Sequence, residues 1–151
     1  PGACLKGIEV THITGENDFA LMKQEYEKTG IRSTVYSFFE GMHLLYENTD
    51  LVITRAGSAT LSEVAACQLP CILVPYPYAG RHQYYNAEIF VDNRAAMLFD
   101  ELEGSAAQLR DLLQGIDEHR EKLLEMKQNA ARLVRKDAGR RVAEMLLGNA
   151  L

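Results

Sequence analysis

Residues 51–67 read LVITRAGSATLSEVAAC, and this stretch decides the fold class. It begins with an apolar strand pattern at Leu51–Thr54 and continues through a turn of small residues, Ala56-Gly57-Ser58, into a helix pattern at Leu61–Cys67. The next apolar run, Cys71–Pro75, predicts a second strand. A strand, a short turn, a helix and a strand form a βαβ unit, whose two strands are parallel.

The same alternation extends on both sides of this unit. Repeated strand–helix order predicts a Rossmann-like α/β fold, with a parallel sheet and helices on both faces. Apolar strands without alternation are typical of a sheet that is buried on both sides. A long helical segment is expected from about 105 to 147, with a break near Gly115 to Asp117. The further strands are predicted at Ile8–Ile13, Ser33–Phe38 and Ala96–Phe99, and the further helices at 18–28, 42–46 and 83–91.

Length and composition predict one domain over residues 1–151. The hydrophobic fraction of 47% and the charged fraction of 25% are ordinary for a folded domain. The net charge of -5 argues against nucleic-acid binding, which needs a dense basic surface. The cysteines Cys4, Cys67 and Cys71 indicate neither a disulfide framework nor a metal site, and we expect Cys67 and Cys71 to be small core residues.

The turn after Thr54 is the first candidate binding site, because ligands of parallel sheets bind beyond the carboxyl ends of the strands. Small side chains there let an anion approach the free N–H groups of the following helix. Ser58 and Thr60 add hydroxyl donors, and the Glu63 carboxylate can accept hydrogen bonds from sugar hydroxyls. Thr60 and Glu63 also have the spacing of a capping box, in which Glu63 only serves the backbone. The spacing leaves both interpretations open.

The loop after the next strand, residues 76–87, is the second candidate. Its guanidinium, imidazole, amide and aromatic side chains suit a polar, uncharged ring such as a sugar. The plainer interpretation is a polar loop that Asn86 caps.

Together these motifs resemble the MurG family, the glycosyltransferases that build the lipid-linked disaccharide of bacterial peptidoglycan. The family has the two-domain GT-B fold, and the chain is similar to most of its C-terminal, donor-binding domain. The family's donor domain begins with a strand and a glycine-rich loop that nothing before Ile8 matches, so the first, central strand is expected to be missing from this sequence. The matching residues are Arg55, Gly57, Thr60, Ser62 and Glu63, then His82-Gln83 and Asn86-Ala87, with His12-x-Thr14-Gly15 and Phe38-Phe39-x-x-Met42 earlier in the chain.

The resemblance implies a role for each matching position. Glu63 would hold the ribose hydroxyls of UDP, while Gln83 and His82 would bind the N-acetylglucosamine hydroxyls. Phe39 would meet the uracil ring, with Met42 near the nucleotide. The helix start would face the diphosphate through Ser58, Ala59 and Thr60, and structural or supporting roles fall to Arg55, Asn86 and His12.

The implied function is the donor-binding half of an inverting N-acetylglucosaminyltransferase that uses UDP-N-acetylglucosamine. No residue of this chain is expected to be catalytic, and neither a metal nor a cofactor is expected. The lipid-linked acceptor and the membrane would be contacted through an absent N-terminal domain, at the cytoplasmic, inner face of the cell membrane. This chain alone is therefore predicted to be inactive.

Two alternatives stay open. One is a non-catalytic UDP-sugar-binding subunit of a two-chain N-acetylglucosaminyltransferase. The other is a different GT-B enzyme, such as a UDP-sugar epimerase, against which the His82-Gln83 and Ser62-Glu63 pairs argue.

Overall fold

The computed structural model describes residues 7–78, 80–135 and 137–148. The described residues form two compact units, one within residues 7–48 and 104–120, the other within residues 49–103 and 121–148. The prediction of a single domain stays a prediction.

In the described residues the strands are β1 (Val10–Ile13), β2 (Ser33–Tyr36), β3 (Val52–Thr54), β4 (Cys71–Leu73) and β5 (Ala96–Leu98). The helices are α1 (Phe19–Thr29), α2 (Met42–Tyr46), α3 (Ser58–Ala66), α4 (His82–Asp92), α5 (Ala106–Glu118), α6 (Glu121–Leu133) and α7 (Ala138–Leu146).

The first unit contains a parallel pair of strands, β1 and β2, which are joined by α1. Asp18 is the residue before α1, and Gly30 ends the helix in the left-handed conformation, with a φ of 69°. Glycine takes this conformation without a steric penalty, so the predicted end of the helix is confirmed. The helix α5 begins with a capping box, in which Ser105 and Gln108 satisfy each other's backbone N–H groups.

The second unit contains a parallel sheet in the order β3-β4-β5. The three residues of the central strand β4 are fully buried, as a strand covered on both faces requires. The outer strands differ from the prediction of a sheet that is buried on both sides. Ile53 in β3 is 48% exposed, and Leu98 in β5 is 42% exposed. The buried Val64 of α3, Ala87 of α4 and Ala130 of α6 belong to the core of this unit.

The strands are therefore parallel, as predicted, but they form two ladders, β1-β2 and β3-β4-β5. The predicted strands at Ile8–Ile13 and Leu51–Thr54 do not share a ladder in the described residues. An upstream central strand stays a prediction.

Three local predictions are wrong. The helix α3 begins at Ser58 rather than Leu61, because Gly57 is already its N-cap. The C-terminal segment does not break between Gly115 and Asp117, which lie inside α5; the chain leaves the helical conformation two residues later, at His119. Cys67 is exposed, since it follows the last turn of α3, whereas Cys71 is buried and its burial raises the pKa of its thiol to about 12. Cys4 lies outside the described residues.

No helix in the described part of the chain is both long and apolar enough to cross a membrane.

Candidate functional site

The first turn of α3 presents unpaired backbone donors. Its first intrahelical hydrogen bond runs from the N–H of Leu61 to the carbonyl of Gly57, so the N–H groups of the three preceding residues have no partner within the helix. The N-cap, Gly57, has no side chain that could accept hydrogen bonds from them. Ser58 and Ala59 are exposed, and Thr60 is half-buried. The helix dipole adds about half a positive charge at such an end, which favours an anion.

The position of Gly57 also decides between the two interpretations of Thr60 and Glu63. With Gly57 as the N-cap, Thr60 is the third residue of the helix and Glu63 lies on its second turn. A capping box between Thr60 and Glu63 requires Thr60 to be the N-cap, so that interpretation is wrong. The exposed Glu63 is the nearest carboxylate along the helix after the turn that carries the free donors.

The amide oxygen of Gln83 holds two loops together. It accepts hydrogen bonds from the N–H of Ala56, 3.1 Å away, and from the N–H of Tyr76, 2.9 Å away. These two residues follow β3 and β4 respectively, so one side chain of α4 fixes both loops at the carboxyl end of the sheet. The two backbone donors also fix the orientation of the amide, because its oxygen must face them. Gln83 therefore has only its Nε2 hydrogens to offer to a ligand.

Asn86 holds the same loop from the next turn of α4. Its Nδ2 donates to the carbonyl of Ala56 at 3.0 Å. Ala56 is fully buried and lies in neither a strand nor a helix, so its backbone groups need partners from outside a regular ladder or helix. Gln83 supplies the acceptor and Asn86 supplies the donor.

Arg55 spans the ends of both loops. Its guanidinium donates to the carbonyls of Val74 at 3.2 Å and Pro75 at 3.5 Å. It also forms an ion pair with Glu101 at 2.8 Å, and it lies 5.7 Å from the centre of the Tyr76 ring. These contacts connect Arg55 to the loop after β4 and to the segment after β5, and its supporting role stays a prediction.

His82 is the first residue of α4 and is exposed. Its ring lies against the backbone of Gly80, where an added Cβ would come within 3.1 Å of the His82 Nε2. The residue between them, Arg81, has a φ of 61°, which is strained for a side chain with a Cβ. Its guanidinium lies 4.9 Å from the centre of the Tyr84 ring, a distance at which a cation attracts an aromatic face.

Tyr84 connects α4 to the segment after β5. Its hydroxyl donates to Asp100 at 2.8 Å. This hydrogen bond is the main cause that lowers the pKa of Asp100 below its ordinary value of 3.8. The same bond raises the pKa of Tyr84 above its ordinary value of 10.0, because the bond and the nearby negative charge both favour the protonated phenol.

These pKa shifts give the pair a pH window. The lowered pKa of Asp100 stabilises the fold above its ordinary value of 3.8, and this stabilisation is lost as the pH falls through the lower, folded value. The raised pKa of Tyr84 stabilises the fold below 10.0, and this stabilisation is lost as the pH rises through the higher, folded value. We therefore expect Tyr84→Phe to lower the melting temperature most at neutral pH and least at both extremes.

Thermal unfolding over a pH series checks this expectation. Tyr85→Phe is the matched control, because Tyr85 is the next residue of the same helix and is 61% exposed. A melting-temperature loss for Tyr84→Phe that stays constant with pH would contradict the assignment.

Three predicted positions lie in the first unit. His12 shares a hydrogen bond of 3.2 Å with the Tyr26 hydroxyl, through its Nδ1, and meets the Tyr26 ring edge-on. Phe39 packs edge-on against Tyr36, with 4.9 Å between the ring centres. Met42 is the first residue of α2. The supporting role of His12 and the nucleotide roles of Phe39 and Met42 stay predictions.

The described ranges contain no group of three or more histidine, cysteine, aspartate or glutamate side chains that could hold a metal ion.

The chain matches the sequence profile of the glycosyltransferase family 28 C-terminal domain over residues 2–142. Two similar proteins, from Desulfotalea psychrophila and Geobacter sp., are both named UDP-N-acetylglucosamine–N-acetylmuramyl-(pentapeptide) pyrophosphoryl-undecaprenol N-acetylglucosamine transferase. The first is 40% identical over 139 residues, with 91% of this chain and 38% of the relative covered. The second is 37% identical over 145 residues, with 93% and 38% covered.

The fold also matches a solved structure, the crystal structure of MurG from Acinetobacter baumannii. The TM-score is 0.88 at 26% identity, over 93% of this chain and 41% of that one. The chain spans about two-fifths of the length of these proteins. The predicted resemblance and the α/β fold are thereby confirmed, and the chain belongs to the glycosyltransferase family 28 C-terminal domain family.

Proposed function

We propose that this chain binds UDP-N-acetylglucosamine and presents it for transfer to a lipid-linked acceptor. The proposal rests on one observation. Gln83 joins the loops after β3 and β4, and these loops lie beside the first turn of α3, whose N–H groups have no partner within the helix. The names of its relatives supply the sugar and the acceptor class.

Each part of the nucleotide sugar has a suitable binding group in this proposal. The free N–H groups of the first turn of α3 receive the diphosphate, which is the leaving group when the acceptor hydroxyl attacks the anomeric carbon with inversion. Fixed donors of this kind stabilise the charge that develops on the leaving oxygen, so this half needs no metal. The Glu63 carboxylate accepts hydrogen bonds from the ribose hydroxyls, on the turn next to the diphosphate.

The sugar is recognised from α4. The Gln83 Nε2 donates to a sugar oxygen, because the Gln83 Oε1 is held by Ala56 and Tyr76. His82, which is exposed one residue earlier, offers a second hydrogen-bonding group. No residue of this chain is assigned the general base, so we expect no transfer by the chain alone. The reaction itself takes place at the inner face of the cell membrane.

Calorimetric titration of the 151-residue chain with UDP-N-acetylglucosamine, UDP and GDP tests the proposal. We expect UDP and the UDP-sugar to bind in the micromolar to millimolar range, which corresponds to roughly -8 to -4 kcal/mol. GDP is the control, since its phosphates are the same and only its base differs. Equal affinities for GDP and UDP, or no binding of UDP, would contradict the proposal.

A further inference from the structure

Two neighbouring acidic residues after β5 have different partners. Asp100 uses both of its oxygens, one for the Tyr84 hydroxyl and one for the backbone N–H of Leu102. Glu101 instead forms the ion pair of 2.8 Å with Nη2 of Arg55, the residue that follows β3. The side chain of Glu101 is only 31% exposed. Glu101 is therefore the carboxylate that connects the segment after β5 to the end of β3.

The ion pair occupies one nitrogen of the Arg55 guanidinium, and the other nitrogen faces the loop after β4. Nη1 donates to the carbonyls of Val74 at 3.2 Å and Pro75 at 3.5 Å. These hydrogen bonds are long, and an arginine side chain has many rotamers to lose, so the two bonds alone hold it weakly. Because the guanidinium is planar and rigid, the short contact with Glu101 also keeps Nη1 directed at the two carbonyls.

Arg55 and Gln83 hold the two sides of one peptide group. The Pro75 carbonyl, which accepts from Arg55, and the Tyr76 N–H, which donates to Gln83 at 2.9 Å, belong to the same peptide. The described peptide bonds are all trans, so this carbonyl and this N–H point in opposite directions. A change in the position of Arg55 would therefore be passed through this peptide to the Gln83 amide.

We propose that Glu101 is a positioning residue for sugar recognition. It does not touch the ligand; it holds Arg55, which orients the Pro75–Tyr76 peptide and, through it, the amide of Gln83. This inference rests on the proposed function, in which the Gln83 Nε2 donates to the sugar.

The variant Glu101→Ala tests the proposal. UDP-N-acetylglucosamine and UDP are titrated into the wild-type chain and the variant, and the readout is the ratio of the two affinities. A loss of stability alone leaves this ratio unchanged, whereas a displaced Gln83 amide weakens only the binding of the sugar nucleotide. We expect the ratio to fall about threefold, because a partly exposed ion pair changes an equilibrium by at most about fivefold.

A double-mutant cycle shows whether Glu101 acts through Arg55. The variant Arg55→Met keeps an unbranched side chain and removes the guanidinium. If Arg55 carries the effect, adding Glu101→Ala to Arg55→Met should lower the ratio no further. A second readout needs no Arg55 variant and no ligand. In the nuclear magnetic resonance spectrum of the free chain, Glu101→Ala should shift the backbone amide of Tyr76 and the side-chain amide of Gln83.

Glu125→Ala is the matched control. Glu125 is also paired with an arginine, Arg94, at 3.9 Å. Arg94 lies just before β5, at the amino end of the parallel strands, whereas the loops that Gln83 joins lie at the carboxyl end. This control should leave both the affinity ratio and the amide resonances of Tyr76 and Gln83 unchanged. Glu101→Ser serves as a second variant if Glu101→Ala does not fold.

The outcomes separate the positioning role from the function on which it rests. A lower ratio together with shifted amides of Tyr76 and Gln83 supports the inference. An unchanged ratio, equal losses for the two ligands, unshifted amides, additive losses in the cycle, or failure of both Glu101 variants to fold would overturn it, while wild-type binding of the UDP-sugar would still support the proposed function. A wild-type chain that binds no UDP-N-acetylglucosamine would overturn both.

Discussion

Glu63→Ala is expected to weaken the binding of UDP by at least about a hundredfold, or roughly 3 kcal/mol. Two ribose hydroxyls that donate to one carboxylate form charge-assisted hydrogen bonds, each of which contributes about 1.5–3 kcal/mol. The fold should be nearly unaffected, because Glu63 is exposed and Gly57, not Thr60, is the N-cap of α3. Losing an interaction of an exposed side chain usually changes the free energy of unfolding by at most about 1 kcal/mol. Calorimetry and thermal unfolding measure the two effects separately.

A ligand without the ribose hydroxyls makes this test specific. Wild-type chain should bind 2′,3′-dideoxy-UDP about as weakly as the Glu63→Ala variant binds UDP, and the variant should lose nothing more with the dideoxy ligand. Glu88→Ala is the control, since Glu88 is an exposed glutamate on the neighbouring helix α4. Additive losses from the variant and the dideoxy ligand would show that Glu63 does not meet the ribose.

Gln83→Glu is expected to remove the preference for the sugar and to keep the fold. A glutamate oxygen can accept from the N–H groups of Ala56 and Tyr76 as the amide oxygen does, but the carboxylate has no hydrogen to donate to a ligand. Its new charge repels UDP with and without the sugar, so the ratio of the two affinities isolates the lost donor. We expect the affinity for UDP-N-acetylglucosamine to fall about tenfold more than that for UDP, as loss of one hydrogen bond implies.

Gln83→Met is the complementary variant, with a similar length and no strong acceptor. It leaves the buried Ala56 N–H without a partner, which costs about 1–3 kcal/mol of stability. The melting temperature should therefore fall for Gln83→Met and stay near the wild-type value for Gln83→Glu. If both variants melt alike, the amide oxygen does not hold the loops; if Gln83→Glu binds the sugar as the wild type does, the amide hydrogens do not meet it.

Elements with strong local signals were predictable from the sequence. The helix α1 has Asp18 before it and Gly30 after it, and its bounds are close to those predicted. The start of α3 was not predictable, because Gly57 and Thr60 were both acceptable N-caps and only the extended backbone of Gly57, with a ψ of 140°, distinguishes them. Likewise, Gly115 disfavours a helix by about 1 kcal/mol, yet the buried Ile116 beside it keeps α5 continuous.

The residues of the candidate site can be proposed from the sequence, but their contacts within the protein cannot. The sequence placed Gln83 in a polar loop, where an amide suggests ligand binding, and it gave Asn86 a structural or supporting role. Their partners are backbone groups 27 and 30 positions earlier in the chain, and no pattern of side chains reports where an unpaired N–H or carbonyl will lie. The hydrogen bonds by which Gln83 joins the two loops can therefore be identified only in the folded structure.

The central claim is that a nucleotide sugar binds at the two loops that Gln83 joins. A titration of the isotope-labelled chain with UDP-N-acetylglucosamine, followed by nuclear magnetic resonance, tests it most directly. We predict that the largest shifts occur at the backbone amides of Gly57, Ser58, Ala59 and Thr60 and at the side-chain amide of Gln83. Saturable shifts confined to other parts of the chain, or no shifts at millimolar ligand, would contradict it.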